Sequence, residues 1–318
     1  MLRRCCSRRP GPGEARAGLA ARLAQLASGI VRPRRGAVAA ALAVGLVLAA
    51  PAGAQELKIA TWNIAWLTTR PRGHPDLPRG YIPRTEADFR RLREYATRLD
   101  ADIVALQEVD GRLAAARVFD ATRYDFHFTG STNVQNVGFA IRRPLRWRAN
   151  DDLVALALRE RLRRGADITV ETAAGPLRLL SVHLKEGCNR DPLGASDRFA
   201  CVDMDRQADI LAGWIAARAR AGEAFVVLGD FNRRLDDGEG MLSRLRAAAP
   251  LTLVSEGLSS PCWGYNSPFI DHIVLGGAAR AWLVGASLRV LDYRVTDRRL
   301  QDAISDHCPV SFRLHPVR

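Results

Sequence analysis

Close to its C-terminus the chain carries Ser305-Asp306-His307, preceded by Asp271-His272 and, further back, by Gly229-Asp230-Phe231-Asn232 at the close of an apolar run. Carboxylate, carboxamide and imidazole groups set where buried strands run out into loops are the parts of a metal-assisted hydrolase. Each strand end can aim one polar side chain into a shared mouth. In the Gly229 to Asn232 stretch the glycine permits a tight exit from the strand, and the Asp and Asn two apart can face the same way. They would offer a carboxylate to orient a water and an amide to bind a phosphoryl oxygen. Gly, Asp and Asn are also ordinary turn residues, so this stretch decides nothing alone. Asn63 and Glu108 each end an apolar strand and offer hard oxygen donors, which suit magnesium, manganese or calcium rather than zinc. His183 and His307 fall on strand ends, with Asp271 and Asp306 as carboxylates able to fix an imidazole tautomer and raise its pKa. His127 and His272, beside apolar residues, read as structural histidines.

Positioning such groups takes many strands. Leu57 to Asn63, Ile103 to Leu106, Tyr124 to Phe128, Val137 to Ile141, Ile168 to Val170, Leu177 to Leu184, Ala224 to Leu228, Phe269 to Leu275 and Val310 to Phe312 have strand character. Thr85 can cap a helix in which Glu86 and Asp88 suit the positive end and Phe89, Leu92 and Ala96 recur at helical spacing. A second helix places Met204, Ala208, Leu211 and Ile215 on one face. Many strands, some in hairpins, with few helices between them predict mixed sheets packed face to face with helices outside.

The first residues stand apart. Ala37 to Ala50 is a small-apolar run behind Arg32, Arg34 and Arg35, and Ala52-Gly53-Ala54 fits a small-x-small cleavage site. A leader over residues 1–54, cleaved near Ala54, and a single domain over 55–318 are therefore expected, with a secreted or periplasmic product. An uncleaved anchor is the competing reading, but the run is shorter than the roughly 20 residues a membrane span needs. Without the leader, 38 basic face 33 acidic side chains, a formal +5 in place of +13. That excess favours a polyanionic substrate only mildly. Lys58 and Lys185 are the only lysines, so the cationic surface is guanidinium, which codon bias explains as well as phosphate recognition does. Four cysteines remain, none at zinc-ligand spacing, and an even number in an exported chain argues for disulfides. Three pairings are open; Cys188 with Cys201 would close a short polar loop.

Six stretches taken together, Thr61-Trp62-Asn63, Leu106-Gln107-Glu108-Val109, Ser181-Val182-His183, Gly229-Asp230-Phe231-Asn232, Ile270-Asp271-His272 and Ser305-Asp306-His307, resemble the ordered motifs of the endonuclease/exonuclease/phosphatase superfamily. The resemblance spans essentially the whole chain after the leader. It implies an α/β four-layer αββα sandwich of the deoxyribonuclease I type, with two mixed, mainly antiparallel sheets. It also implies a divalent metal (Mg2+, or Mn2+ or Ca2+) and hydrolysis of phosphoester bonds. On that resemblance Asn63, Glu108 and Asp306 would serve the metal. Asp230 and Asn232 would align water and phosphoryl group, and His307 would be oriented by Asp271. Contact between Asp271 and His307 would in turn bring Cys262 to Cys308. His183 stands where deoxyribonuclease-like members have a second catalytic histidine and abasic-site endonucleases usually have tyrosine. A glutamate buttresses that histidine in the pancreatic type, whereas here the candidates are Gln135 and Asn136, so His183 is expected to act as a phosphate hydrogen-bond donor. The Arg161 to Arg164 run is similar to a phosphate-contacting region. Arg163 and Asn136 are accordingly candidates for substrate phosphate, against the alternative of a solvated basic loop.

The expected activity is an exported, monomeric, metal-dependent nuclease, most simply an endonuclease on DNA or RNA. A sphingomyelinase-like phospholipid phosphodiesterase or a small-phosphoester phosphatase is the rival. Lipid use would call for an exposed apolar loop, which the polar Gly187 to Ala200 segment does not offer and Trp263 with Tyr265 could. A catalytically silent binding module is the rival of another class, and the complete acid, amide and imidazole set speaks against it.

Overall fold

The computed structural model describes residues 56–236, 239–264 and 266–317. The expected leader, its cleavage point near Ala54, and Tyr265 lie outside the described residues. No described helix is long and apolar enough to cross a membrane.

Among the described residues fourteen strands run in chain order: β1 (Leu57–Leu67), β2 (Ile103–Val109), β3 (Tyr124–Phe128), β4 (Val137–Arg142), β5 (Trp147–Ala149), β6 (Ala166–Thr172), β7 (Gly175–His183), β8 (Ala224–Asp230), β9 (Leu251–Leu253), β10 (Ser259–Ser260), β11 (Ser267–Pro268), β12 (Asp271–Gly276), β13 (Arg289–Val290) and β14 (Val310–Leu314). Five α-helices accompany them: α1 (Glu86–Leu99), α2 (Gly111–Ala115), α3 (Phe199–Arg220), α4 (Gly240–Ala248) and α5 (Arg298–Ile304). One six-stranded sheet has the order β13-β14-β1-β2-β4-β3 and the other β5-β6-β7-β8-β12-β9. Each holds a single parallel pair near its middle, β1 with β2 and β7 with β8, and every other pair is antiparallel. The mixed, mainly antiparallel sandwich follows.

Side-chain alternation explains the layering. Leu57 and Ile59 of β1, Ile103 and Ala105 of β2, Leu177 and Leu179 of β7, Ala224, Val226 and Leu228 of β8, and Ile273 and Leu275 of β12 form the core between the sheets. The opposite face of the first sheet packs Ala60, Trp62, Val104 and Leu106 against Phe89, Leu92 and Ala96 of α1. The opposite face of the second packs Leu180, Val182, Phe225 and Val227 against Met204, Ala208, Leu211 and Ile215 of α3. Both helix faces are those their periodicity predicts. Thr85 caps α1 as expected, and Asp88 completes a reciprocal capping box.

Both expected disulfides are present. Cys188–Cys201 fastens the loop after β7 to the first turn of α3, and Cys262–Cys308 fastens the segment after β10 to the start of β14.

Candidate active site

The alternation that builds the core also builds the site. Counting in twos along each strand, inward positions begin apolar and turn polar toward the site: Thr61 and Asn63 on β1, Gln107 on β2, Ser181 and His183 on β7, Asp230 on β8. Asp271 opens β12 on the same row. Register places His183 opposite Asp230 and Asp230 opposite Asp271, so three functional groups stand side by side at one end of the sandwich. Four of these groups lie at the carboxyl ends of the two parallel pairs, where crevices form in sheets of this kind.

Local backbone conformation then redirects what alternation alone would misplace. Glu108 falls on the outward parity, but its left-handed backbone (φ 58°) breaks the alternation and returns its carboxylate to the row. Ala65, Trp66 and Asn232 are also left-handed, so strained backbone clusters around the site. Gly229 has φ 147°, and a Cβ there would stand 2.0 Å from the Val182 carbonyl oxygen, so only glycine lets β8 approach β7 this closely.

Asp230 is the hub. Its Oδ2 accepts from Asn63 Nδ2 at 3.0 Å and from Asn232 Nδ2 at 3.3 Å, while Oδ1 accepts from the Asn232 backbone N–H at 2.7 Å. His183 Nε2 lies 3.5 Å and His307 Nε2 3.7 Å from the same Oδ2. Burial raises the Asp230 carboxyl to about 7, with Asp271 adding to the rise and His307 and the amide donors opposing it. His307 Nδ1 meets Asp271 Oδ2 at 2.8 Å. Burial works against a charged His307, but Asp271, Asp230 and Asp306 outweigh it and hold the imidazole well above its ordinary pKa. His183 goes the other way: burial, then the charges of Arg163, His307 and Lys185, keep it well below that range and hence neutral.

Several supports were not foreseen. Thr61 Oγ1 donates to Gln107 Oε1 (3.1 Å) and Gln107 Nε2 donates to Ser181 Oγ (3.0 Å), a buried polar bridge between the sheets one residue from Glu108. Ser305 Oγ donates to the Asn63 carbonyl (2.8 Å) and accepts from the His307 N–H (3.0 Å), tying the histidine loop to β1. Arg84, largely shielded from water, donates to the carbonyls of Ile64, Ala65, Trp66, Ala303 and Ile304. It pins the irregular end of β1 to the end of α5. Nothing in the sequence marks it, because its partners are backbone atoms far along the chain.

The expected metal ligands fit a hard cation by chemistry, with one adjustment. Glu108, Asp230, Asp271 and Asp306 crowd negative charge at one mouth, Asp271 Oδ1 is buried with no hydrogen-bond partner, and among the described residues every cysteine is in a disulfide. Glu108 Oε1 faces inward, while Oε2 accepts from the Trp66 N–H at 3.1 Å. Asn63 presents Nδ2, not Oδ1, to Glu108 (3.2 Å) and Asp230, and its Oδ1 accepts from the Ala65 N–H. Ligation through Asn63 therefore requires the amide to turn over. Asp306 is exposed beside His307. Asp230, Asp271 and His307 also bring donor atoms within 4.8 Å of one another, but an imidazole held protonated by its carboxylates is a proton donor and no ligand. The similar grouping of Cys188, Asp191 and Cys201 is consumed by its disulfide.

Arg163 joins the site wall. Its guanidinium is buried, Nη2 donates to the Leu184 carbonyl (2.7 Å), and Nε has no partner. Asn136 is occupied elsewhere: Nδ2 donates to the Thr129 and Ser131 carbonyls, and Oδ1 accepts from Thr129 Oγ1 and the Val137 N–H. It holds the loop before β4, and both N–H groups of its carboxamide are engaged in this arrangement. His183 Nδ1 is buried without a hydrogen-bond partner, so neither Gln135 nor Asn136 buttresses it. His272 is structural as expected: Nε2 donates to the Arg233 carbonyl and Nδ1 accepts from Ser255 Oγ. Beside the hub opens a groove of about 760 Å³ lined by Trp66, Arg70, Arg159, Arg161, Arg163 and Lys185, together with Asp76, Glu160 and Glu186.

Two mixed sheets packed face to face, with acid, amide and imidazole groups gathered at their strand ends, are the architecture of the deoxyribonuclease I-like hydrolases of phosphoester bonds. The chain belongs to the endonuclease/exonuclease/phosphatase family, whose sequence pattern matches residues 60–307. Family members depend in general on a divalent cation. No curated protein matches the chain by sequence. Among the solved structures that share its fold are the following three. TDP2 of D. rerio complexed with single-strand DNA product has 17% identity, a TM-score of 0.54, and matches 81% of this chain and 98% of that one. The 3′ phosphatase NExo of Neisseria bound to product DNA hairpin has 18% identity, a TM-score of 0.54 and coverage of 81% and 99%. An AP endonuclease from Archaeoglobus fulgidus has 14% identity, a TM-score of 0.52 and coverage of 82% and 100%.

Proposed function

We propose that the mature chain is an exported, divalent-metal-dependent phosphodiesterase that cleaves nucleic acid, acting as an endonuclease on DNA or RNA. The observation that carries the reading is the single oxygen, Asp230 Oδ2, on which two amides and two imidazoles converge. A carboxylate poised near neutral pH is matched to take a proton from the attacking water, and Asn232, fixed to it through both backbone and side chain, holds that alignment. A phosphodiester resists attack because its oxygens are already negative, so the site must absorb the charge of a five-coordinate transition state. His307, cationic and oriented by Asp271, supplies a charged hydrogen-bond donor for that purpose. Neutral His183 and buried Arg163 add donors on the opposite side. A divalent cation held by Glu108, with Asp306 and a turned Asn63, supplies charge neutralisation at the phosphate and the leaving oxygen; Mg2+ is the first candidate, with Mn2+ and Ca2+ as alternatives.

Nucleic acid is favoured over lipid because Arg70, Arg159, Arg161, Arg163 and Lys185 line the groove beside the hub, with Ser131, Thr132, Asn133 and Gln135 among its polar loop residues. The D. rerio and Neisseria structures, which hold DNA products, support the same substrate class. Export is supported by the leader and by the two disulfides, which persist in oxidising compartments. Purified residues 55–318 are to be assayed on supercoiled DNA, single-stranded RNA, sphingomyelin and inositol phosphates, with and without chelator. Chelator-sensitive cleavage of DNA or RNA, with the other substrates untouched, is expected. Turnover of sphingomyelin or an inositol phosphate alone would replace the nuclease with one of its rivals.

A further inference from the structure

The chain has six tryptophans, and five have an evident packing role. Trp62 and Trp263 pack in the cluster between the first sheet and α1, Trp147 and Trp282 against the core between the sheets, and Trp214 from α3 against the second sheet. Trp66 belongs to none of these clusters, and among the described residues no aromatic ring or arginine is stacked against its indole. It is half-buried and lines the groove beside the catalytic hub.

Its backbone is held in a conformation a bulky residue rarely adopts. Trp66 has φ 56°, a left-handed geometry that brings the Cβ of an L-residue too close to the following carbonyl oxygen. Three side chains fix it there: its N–H donates to Glu108 Oε2 at 3.1 Å, and its carbonyl accepts from Arg84 Nη1 at 3.1 Å and Tyr81 Oη at 3.2 Å. A large apolar ring thus sits on a strained, over-determined backbone, outside the three core clusters and one hydrogen bond from the site's glutamate. Strain of this kind is retained at ligand clamps.

Across the same groove stand cations without full partners. Arg163 is buried with its Nε unpaired, and Arg161 and Lys185 line the wall beside it. A flat ring and a row of cations around one opening match a nucleotide unit, whose base presents a π-face and whose phosphates run past as anions. The geometry points to Trp66 as the platform on which a base next to the scissile phosphate stacks, making it the residue that sets preference for unstacked nucleic acid over other phosphodiesters. This rests on the nuclease reading and deepens it. A single-stranded or locally opened substrate is implied, because a base inside a duplex has no free face.

The test is a cycle between enzyme and substrate. One substrate is a single-stranded DNA oligonucleotide with a single cleavable phosphodiester, its other linkages being methylphosphonate. Its twin carries abasic sugars on both sides of that linkage. Wild type, Trp66→Phe, Trp66→Ala and Trp66→Gly are compared by KM and kcat with the preferred divalent cation, and thermal melting reports on folding. Trp66→Gly suits the left-handed backbone and guards against mere misfolding. Stacking predicts that Trp66→Ala and Trp66→Gly raise KM about tenfold on the intact oligonucleotide, within the range a lost base–aromatic stack spans. Trp66→Phe should stay within about threefold of wild type, and on the abasic twin all four proteins should coincide. Equal losses on both oligonucleotides would make the ring structural and overturn the inference, as would unchanged KM for Trp66→Ala on the intact one. In both cases the nuclease reading stands, since wild type cuts. Wild type that cuts neither oligonucleotide nor RNA but hydrolyses sphingomyelin overturns both.

Discussion

Burial acts on His272, His183 and His307 alike, and what separates them is what each faces. His272 meets a carbonyl and a hydroxyl, so burial wins and its pKa falls to about 4. His183, although Asp230 and Glu108 stand near its Nε2, is pushed the same way by burial and then by the charges of Arg163, His307 and Lys185; His307 has three carboxylates about it and goes up. The consequence for His272 is a stability effect with a definite sign. Its unfolded pKa is near 6.5, so as pH falls from about 6.5 to about 4 the unfolded chain takes up a proton that the folded chain refuses. Stability from this group is complete above about 6.5 and is lost progressively down to about 4, a span worth about 3 kcal/mol. Urea unfolding at pH 7 and pH 4.5 should show a gap that shrinks in His272→Gln; an equal gap in that variant would contradict the assignment. At this scale the sequence marks residue types well. Asp230, Glu108, Asn232 and His307 are legible because each is a polar group ending an apolar strand. The amide direction of Asn63, the loop-bound carboxamide of Asn136 and the unbuttressed Nδ1 of His183 are not, because each is decided by partners that no local pattern encodes.

Elements carry the site only where their ends are held. The irregular end of β1 and the end of α5 are separated by more than two hundred residues, and Arg84 joins them through five carbonyls without a carboxylate of its own. The carbonyls of Ala303 and Ile304 belong to the last turn of α5, where a cation is favoured. Arg84→Met would leave those acceptors unpaired, and a loss of about 3 kcal/mol is expected by analogy with breaking a buried charged interaction. Equilibrium denaturation checks this, and a loss below about 1 kcal/mol would show that water or backbone shifts replace the arginine. The long elements were legible: α1 through its Thr85 cap and three-four spacing, β8 through an unbroken apolar run stopping at Gly229-Asp230. Short α2, α4 and α5 and the edge strands β5, β9 and β13 were not, since a few residues carry too little periodicity and are held by their neighbours. The reach of β1 past Asn63 to Leu67, across a register shift with β2, was equally hidden.

On the scale of the whole molecule, the segment beside His307 is held by a bond as well as by packing. Cys308 follows His307 directly, and its disulfide to Cys262 spans 46 residues, while Cys188–Cys201 spans 13. Chain entropy assigns about 4 and about 3 kcal/mol to loops of these lengths. Reductant should therefore lower the melting temperature by many degrees, and Cys262→Ser/Cys308→Ser should lose more activity than Cys188→Ser/Cys201→Ser, whose bond lies away from His307. Equal activity in both double variants would remove the link between the bond and the histidine. The pairing of Cys262 with Cys308 was legible only through the resemblance that joined Asp271 to His307, whereas the polar inter-sheet bridge of Thr61, Gln107 and Ser181 needed the packed sandwich to become visible. Everything converges on one carboxylate oxygen and the imidazole beside it. The decisive measurement is nicking of supercoiled plasmid by residues 55–318 and by Asp230→Ala and His307→Ala, each with divalent cation and with chelator, with circular dichroism confirming the fold. The expected result is cation-dependent nicking by wild type and a fall of about 10³-fold or more in either variant. Nicking within about tenfold of wild type in either variant, or undiminished by chelator, would contradict the account.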